Sequence, residues 1–183
     1  IRQVTGENVT ADQLGGPDAH MTKSGVISFV ADDDRHAIAI CQKLLSFLPS
    51  NNLEDPPELP GDHTVEPNPA LAGLVPVETK QGYDVRRVIQ AVVDVGDVLE
   101  VQAGFAANIV VGFARITGRT IGIVANQPSV QAGVLDINSS DKASRFIRFC
   151  NAFNIPLLTF VDVPGFLPGV EQEHGGIIRH GAK

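Results

Sequence analysis

Four glycines, Gly165, Gly169, Gly175 and Gly176, follow the apolar run 157–163. A glycine loop between a strand and a helix N-terminus lets main-chain N–H groups approach a ligand, and the helix dipole favours developing negative charge there. An oxyanion hole is built from such fixed donors in a dry site and needs no titrating side chain. Glycines after a strand also serve as plain turns. Arg115 and Arg119 bracket Thr117-Gly118, and Arg145 and Arg148 follow. On an acidic chain these arginines could meet phosphates, or pair with nearby carboxylates at the surface. Phe166 follows Pro164-Gly165, where no buried strand explains an aromatic ring.

Other chemistries are refused by spacing. No G-x-S-x-G elbow is present to carry a hydrolytic serine. The run Gly176-Ile177-Ile178-Arg179-His180-Gly181 has phosphate-loop spacing, but Ala182 stands where the lysine belongs. His174 and His180 are six apart with Glu171 and Glu173 beside the first, which is not the H-E-x-x-H pattern of a zinc helix. Asp32-Asp33-Asp34 lacks the spacing and closing Glu of a calcium loop and reads as helix-capping chemistry.

The composition is that of a folded domain. There are 183 residues, 43% hydrophobic and 19% charged, with 14 Lys+Arg against 21 Asp+Glu for a net charge of −7. A chain of this length buries roughly 70% of its extended surface. The acidic balance argues against a general nucleic-acid or membrane-surface binder, because both need a basic footprint. Cys41 and Cys150 sit within amphipathic helical patterns and read as small core hydrophobes of a reducing compartment. No apolar run approaches 18 residues and the start lacks a signal-peptide core. The chain thus reads as soluble and intracellular, and, starting at Ile1 and stopping at Lys183 inside a helical pattern, as a fragment.

The elements that must position these residues follow from periodicity. Seven of twelve prolines lie between Pro49 and Pro76, which marks 49–82 as an acidic, semi-extended linker between a first part, 1–48, and a second, 83–183. In the first part, 26–31 alternates as a strand. Ala37, Ile38, Cys41, Leu44, Leu45 and Leu48 then form the apolar face of a helix. In the second, Asp84 caps a helix with Val85, Val88, Ile89, Val92 and Val93 on one face. Runs 109–116 and 120–125, joined by Thr117-Gly118-Arg119, predict a hairpin. Ser139 or Ser140 is expected to cap a helix that turns Ala143, Phe146, Ile147, Cys150 and Phe153 inward. Run 157–163 predicts a buried strand. Ligands of such sheets collect beyond the carboxyl ends of strands, which points to Asn126-Gln127-Pro128 and to 162–169.

Several stretches then resemble one family. They include Val110-Val111-Gly112-Phe113-Ala114-Arg115, Ile123-Val124-Ala125-Asn126-Gln127-Pro128, Leu135-Asp136-Ile137-Asn138-Ser139-Ser140 and Thr159-Phe160-Val161-Asp162-Val163-Pro164-Gly165-Phe166-Leu167-Pro168-Gly169. They are similar to the carboxyltransferase (β) subunit of biotin-dependent acyl-CoA carboxylases, of the propionyl-CoA type. The first part, with Thr5-Gly6-Glu7-Asn8-Val9 and Leu14-Gly15-Gly16, resembles the end of that subunit's N-terminal half.

The resemblance implies an α/β fold of two crotonase-like halves, each a ββα spiral. Residues 1–48 would end the N-terminal half and 83–183 begin the C-terminal one. It implies transfer of CO₂ from carboxybiotin to the α-carbon of propionyl-CoA or a similar short acyl-CoA, giving methylmalonyl-CoA. Biotin would arrive on a partner subunit or domain with the biotin carboxylase, no metal would serve the carboxyltransferase site, and β subunits would form a homo-oligomer. The home would be a bacterial cytoplasm or a mitochondrial matrix. A transcarboxylase or decarboxylase subunit would use the same segment, and a non-enzymatic CoA- or partner-binding module is the remaining alternative. The glycine pairs that form the family's two oxyanion holes fall outside 1–183, so no catalytic residue is assigned within it. Expected pocket walls are Arg115 and Arg119 at the hairpin, Asn126, Gln127 and Pro128 in the first loop, and Asp162, Pro164, Gly165, Phe166 and Gly169 in the second.

Overall fold

The computed structural model describes residues 1–60, 67–78, 81–94 and 98–183. Parts of the expected linker, 61–66 and 79–80, lie outside the described residues, as do 95–97. The first part is a string of short helices: α1 (Arg2–Thr5), α2 (Ala11–Gly15), α3 (Pro17–Ala19) with a wider turn His20–Ser24, and α4 (Asp34–Leu45). Asp33 caps α4, accepting from the His36 N–H at 2.8 Å, as the aspartate run predicted. The described residues of 49–82 carry a 3₁₀ turn, Pro69–Gly73, and Leu59 N–H donates to Gly118 O at 3.0 Å.

The second part begins with α5 (Val85–Val92), capped by Asp84 as expected. Then come β1 (Val98–Val101), β2 (Ile109–Ile116), β3 (Arg119–Asn126), α6 (Ile137–Ala152), β4 (Leu157–Phe160), α7 (Val170–Gly175) and α8 (Ile177–Gly181). The strands form one sheet in the order β1-β2-β3-β4, antiparallel except for β3 with β4. The parallel pair is joined by α6, the crossover that parallel strands require. Period-two alternation divides the core. Ile109, Val111, Phe113 and Val124 face Phe146 and Cys150 of α6, while Val110, Ala114, Ile123 and Ala125 face Val85 and Ile89 of α5. Both sheet faces are covered, so β2 and β3 read as continuous apolar runs. Among the described residues no helix is long and apolar enough to cross a membrane.

Several expectations are corrected. Segment 26–31 is not a strand: among the described residues its main-chain tie is a single bond, Gln102 N–H to Ser28 O at 3.0 Å, and one bond is no ladder. Cys41 is exposed, whereas Cys150 is buried and its thiol pKa is pushed up to about 12 by burial. Ile38 and Leu45 also point outward. The inward face of α4 is set instead by Phe47, just past the helix end, which is fully buried and stacks on Phe113 at 5.8 Å. The hairpin turn has two residues rather than three, because Arg119 already pairs with Ile116. Thr117 and Gly118 both take positive φ, 54° and 79°, the conformation of a two-residue turn that follows the twist of its strands.

Neither Ser139 nor Ser140 caps α6. Asp136 does, accepting from Ser139 N–H at 2.8 Å while Ser139 Oγ accepts from Asp136 N–H at 2.8 Å. The buried strand expected over 157–163 is neither that long nor buried: β4 ends at Phe160, Leu157 is 42% exposed and Val161 74%. With a neighbour on one edge alone, the ladder stops where β3 stops. Gly175 ends a helix, α7, that occupies part of the expected glycine loop, and Gly176 is the left-handed junction to α8 at φ 84°. Strand β1 carries no signal recognised above.

Candidate functional site

At the carboxyl ends of β3 and β4 two loops meet. Strand β3 ends in Asn126, whose Oδ1 accepts from Asp162 N–H at 3.3 Å and whose Nδ2 donates to Gly133 O at 3.0 Å. The second loop is stitched to the segment before α6: Leu135 N–H donates to Gly165 O at 3.1 Å, and Leu167 N–H to Leu135 O at 2.8 Å. Gly133 is required at this contact, since a Cβ there would lie 2.8 Å from Asp162 O and its φ is +72°. Asn126, Gln127, Pro128, Asp162, Pro164, Gly165 and Phe166 are thereby brought into one neighbourhood. Gly165 and Gly169 have φ of 146° and 141°, which explains glycine at both positions.

A cavity of about 320 Å³ opens beside these loops, between β4, α6 and the end of α8. Phe166 stands at its edge, 44% exposed. Val124, Leu135, Ala143 and Ile147 make its walls largely apolar, with Asn126, Ser140, Ser144 and Thr159 as polar points and Lys183 at its edge. Ser140 is buried, and its Oγ has no hydrogen-bond partner among the described residues.

Asn126 and Phe166 line this cavity, whereas Gln127, Arg115 and Arg119 do not. Gln127 is fully buried with both ends of its amide used internally: Oε1 accepts from Val85 N–H at 3.1 Å and Nε2 donates to Asp84 Oδ1 at 2.6 Å. It supports the first loop from below. The hairpin turn lies seven residues of strand from Asn126, about 24 Å at ~3.4 Å per residue, so Arg115 and Arg119 are not brought to the two loops. Arg115 is 1% exposed, donates to Ser46 O and lies over the Phe47 ring at 4.3 Å. It pins the end of α4 to the sheet. Arg119 is exposed and pairs with Glu58 at 3.3 Å, the surface pairing weighed above.

Three residues around the loops carried no functional signal in the sequence. Tyr83 Oη donates to Asp162 Oδ2 at 2.9 Å. Burial, then the hydrogen bond and charge of Asp162, push the Tyr83 pKa up to about 12. Asp84, legible only as a helix cap, also grips Gln127. Asn108 accepts from Gln127 N–H at 2.9 Å on its carbonyl and donates from Nδ2 to Val134 O at 2.8 Å. At the α8 end of the cavity, His180 Nδ1 and Lys183 Nζ both meet the Asp141 carboxylate, at 2.8 and 2.6 Å, tying α8 to α6. Among the described residues no cluster of three or more His, Cys, Asp or Glu could hold a metal ion.

Comparison with known proteins sets this geometry in context. The methylmalonyl-CoA carboxyltransferase 12S subunit of Propionibacterium freudenreichii subsp. shermanii is 62% identical over 183 residues, 100% of this chain and 35% of that protein. The methylmalonyl-CoA decarboxylase subunit alpha of Veillonella parvula is 56% identical over 184 residues, covering 100% of this chain and 36% of that one. The propionyl-CoA carboxylase carboxyltransferase subunit of Haloferax mediterranei is 54% identical over 184 residues, again 100% and 36%. The chain therefore spans about a third of the length of the curated relatives it matches. A solved structure of transcarboxylase 12S, a hexamer assembly with methylmalonyl-coenzyme A and methylmalonic acid bound, superposes with a TM-score of 0.97 at 62% identity, over 100% of this chain and 35% of that one. The shared fold is the α/β, crotonase-like class. The carboxyl transferase domain model matches residues 1–183, and over that whole length this chain belongs to the carboxyl transferase domain family.

Proposed function

We propose that this chain is part of a biotin-dependent carboxyltransferase acting on the propionyl-CoA/methylmalonyl-CoA pair. In the carboxylating direction, carboxybiotin and propionyl-CoA give biotin and methylmalonyl-CoA: a C–C bond forms at the α-carbon, the N–CO₂ bond breaks, and the α-proton passes to the ureido nitrogen. Biotin, carried by a partner, supplies the carboxyl group and the proton acceptor. The observation that carries this reading is the 62% identity over the entire chain to a methylmalonyl-CoA carboxyltransferase. The largely apolar cavity beside Asn126 and Phe166, with a Ser140 Oγ that has no partner among the described residues, is compatible with an acyl thioester or a ureido ring.

In this reading 1–48 closes an N-terminal half, 49–82 links, and 83–183 opens a C-terminal half. The chain's own residues form a scaffold and part of a wall. Asn126 and Asp162 hold the two loops in register, and Phe166 offers an apolar surface that keeps water from the reacting carbon. A drier site strengthens whatever fixed dipoles face the developing charge. The partners would be an acyl-CoA, a biotin carrier with its carboxylase, and further copies of the subunit. A transcarboxylase passing the carboxyl group onward, without ATP-driven charging of biotin, would use the same segment.

The test uses the full-length polypeptide that carries this segment, with a biotinylated carrier and methylmalonyl-CoA labelled in its free carboxyl group. Label appearing on biotin supports carboxyl transfer. CoA binding with no label transferred and no labelled CO₂ released overturns it in favour of a binding module. Release of CO₂ with no acceptor able to capture it points to a decarboxylase.

A further inference from the structure

The four residues 82–85 run across both loops of the candidate site. Gly82 passes so close that a Cβ on it would lie 2.9 Å from Pro128 O. Tyr83 Oη donates to Asp162 at 2.9 Å. Asp84 accepts from Gln127 Nε2 at 2.6 Å, and Val85 N–H donates to Gln127 Oε1 at 3.1 Å. Two adjacent side chains thus hold different loops, Asp84 the first and Tyr83 the second. The segment is itself anchored. Val85 is 2% exposed, and the Tyr83 ring packs against the same α5-side core, leaving the hydroxyl to reach Asp162.

We infer that Tyr83-Asp84 is a clasp that sets the spacing of the loops 126–128 and 162–169, and that Tyr83 is a positioning residue for the carboxyl-transfer site, acting through Asp162. The inference rests on the reading that these loops line that site. Without Tyr83, the second loop keeps its ties to Asn126 and Leu135. Those ties join it to β3 and to the segment before α6. The Tyr83 hydroxyl adds a tie to α5, on the opposite face of the sheet from α6. Losing it frees the Asp162 side chain and removes a constraint on the approach of Pro164, Gly165 and Phe166. A displacement of ~1 Å at a reacting centre costs up to about a hundredfold in rate.

The test compares Tyr83→Phe, Asp162→Ala, Asp162→Asn and the double variant Tyr83→Phe/Asp162→Ala in the full-length subunit, reading kcat, KM for the acyl-CoA and Tm. Tyr83→Phe removes one oxygen from a half-buried ring and should leave Tm within about 2 °C. The clasp predicts a fall in kcat of about tenfold or more in Tyr83→Phe, with KM changed less than threefold. Asp162→Asn keeps an acceptor for the tyrosine and should retain most of the activity. Asp162→Ala should fall as Tyr83→Phe does, and the double variant should be no slower than Asp162→Ala. Unchanged kcat in Tyr83→Phe beside an impaired Asp162→Ala overturns the positioning role alone. Multiplying losses in the double variant overturn action through Asp162. Unchanged kcat in both single variants overturns the assignment of these loops to the site, and the clasp with it.

Discussion

Replacing Lys142 by Met removes a buried ammonium while keeping an unbranched apolar stem of similar length. Lys142 is 2% exposed on the inner side of α6, and its Nζ donates to the carbonyls of Phe105 at 2.7 Å, Ile109 at 2.9 Å and Ala106 at 3.4 Å. It thereby holds the β1–β2 loop, in which Gln102 and Ala106 take positive φ of 53° and 44°, and whose Asn108 supports Gln127. Burial pushes its pKa down from 10.5 to about 8; the Glu100 charge opposes this and the Arg86 charge adds to it. In the unfolded chain the group titrates near 10.4. Between about pH 8 and 10.4 the unfolded state binds more protons than the folded one, so stability from this position rises with pH. Below pH 8 the buried charge is a constant cost; above it the folded lysine is neutral and the cost is progressively relieved. At about 1.4 kcal/mol per pH unit, raising the pH from 7 to 9.5 should stabilise the wild type over Lys142→Met by about 2 kcal/mol. At pH 7 itself the variant loses the donor to three carbonyls, at about 1–3 kcal/mol per buried group left bare, and is relieved of a charge cost of similar size. The two parts oppose each other at pH 7, so the slope with pH carries the prediction. Urea unfolding of both proteins at the two pH values, taken as a difference, cancels the titration of every other group. A difference that is flat or falls with pH would refute the reasoning, because the carbonyls would then hold the proton more strongly than burial expels it.

Asp136→Ala should cost about 1 kcal/mol or slightly more by opening the capping box of α6. Ser140→Ala should be neutral or stabilising, since it deletes a buried hydroxyl with no partner among the described residues; paired thermal melts separate the two. Phe166→Ala should lower kcat in the full-length subunit while costing about 2 kcal/mol. That is below the ~3–5 of a fully buried ring, since Phe166 is 44% exposed. A steeper fall in stability with normal kcat would make it core. Arg115→Ala should destabilise by more than about 2 kcal/mol, because its guanidinium is buried under Phe47. Arg119→Ala should stay within about 1 kcal/mol. Neither should change KM for an acyl-CoA across a salt series, and a salt-dependent rise would return these arginines to the phosphates.

Much of the local architecture was legible because its causes lie within a few residues. The β2–β3 hairpin follows from two apolar runs around Thr117-Gly118, α5 from Asp84 before a periodic valine pattern, and the inward turn of Cys150 from the spacing of α6. That the two loops lie at one end of the sheet was legible because parallel strands joined by a helix present their carboxyl ends on one side. The family was legible for another reason, as long runs of residues in a shared order.

What the tertiary structure alone decided involves residues far apart in the chain. Arg115 meets Ser46 across 69 residues, and Tyr83 meets Asp162 across 79. No periodicity encodes such pairs. Lys142 and Gln127 are polar residue types that a sequence assigns to solvent, yet both are buried. Each is tolerated because folding supplies partners, three carbonyls for one and Asp84 with Val85 for the other. Cys41 and Ile38 show the converse: α4 has apolar residues around much of its circumference, and the seating of Phe47 on Phe113, with Arg115 on Ser46, selects which of them turn inward. Periodicity sets which faces are able to be buried. The partners that meet them, from distant parts of the chain, set which faces are.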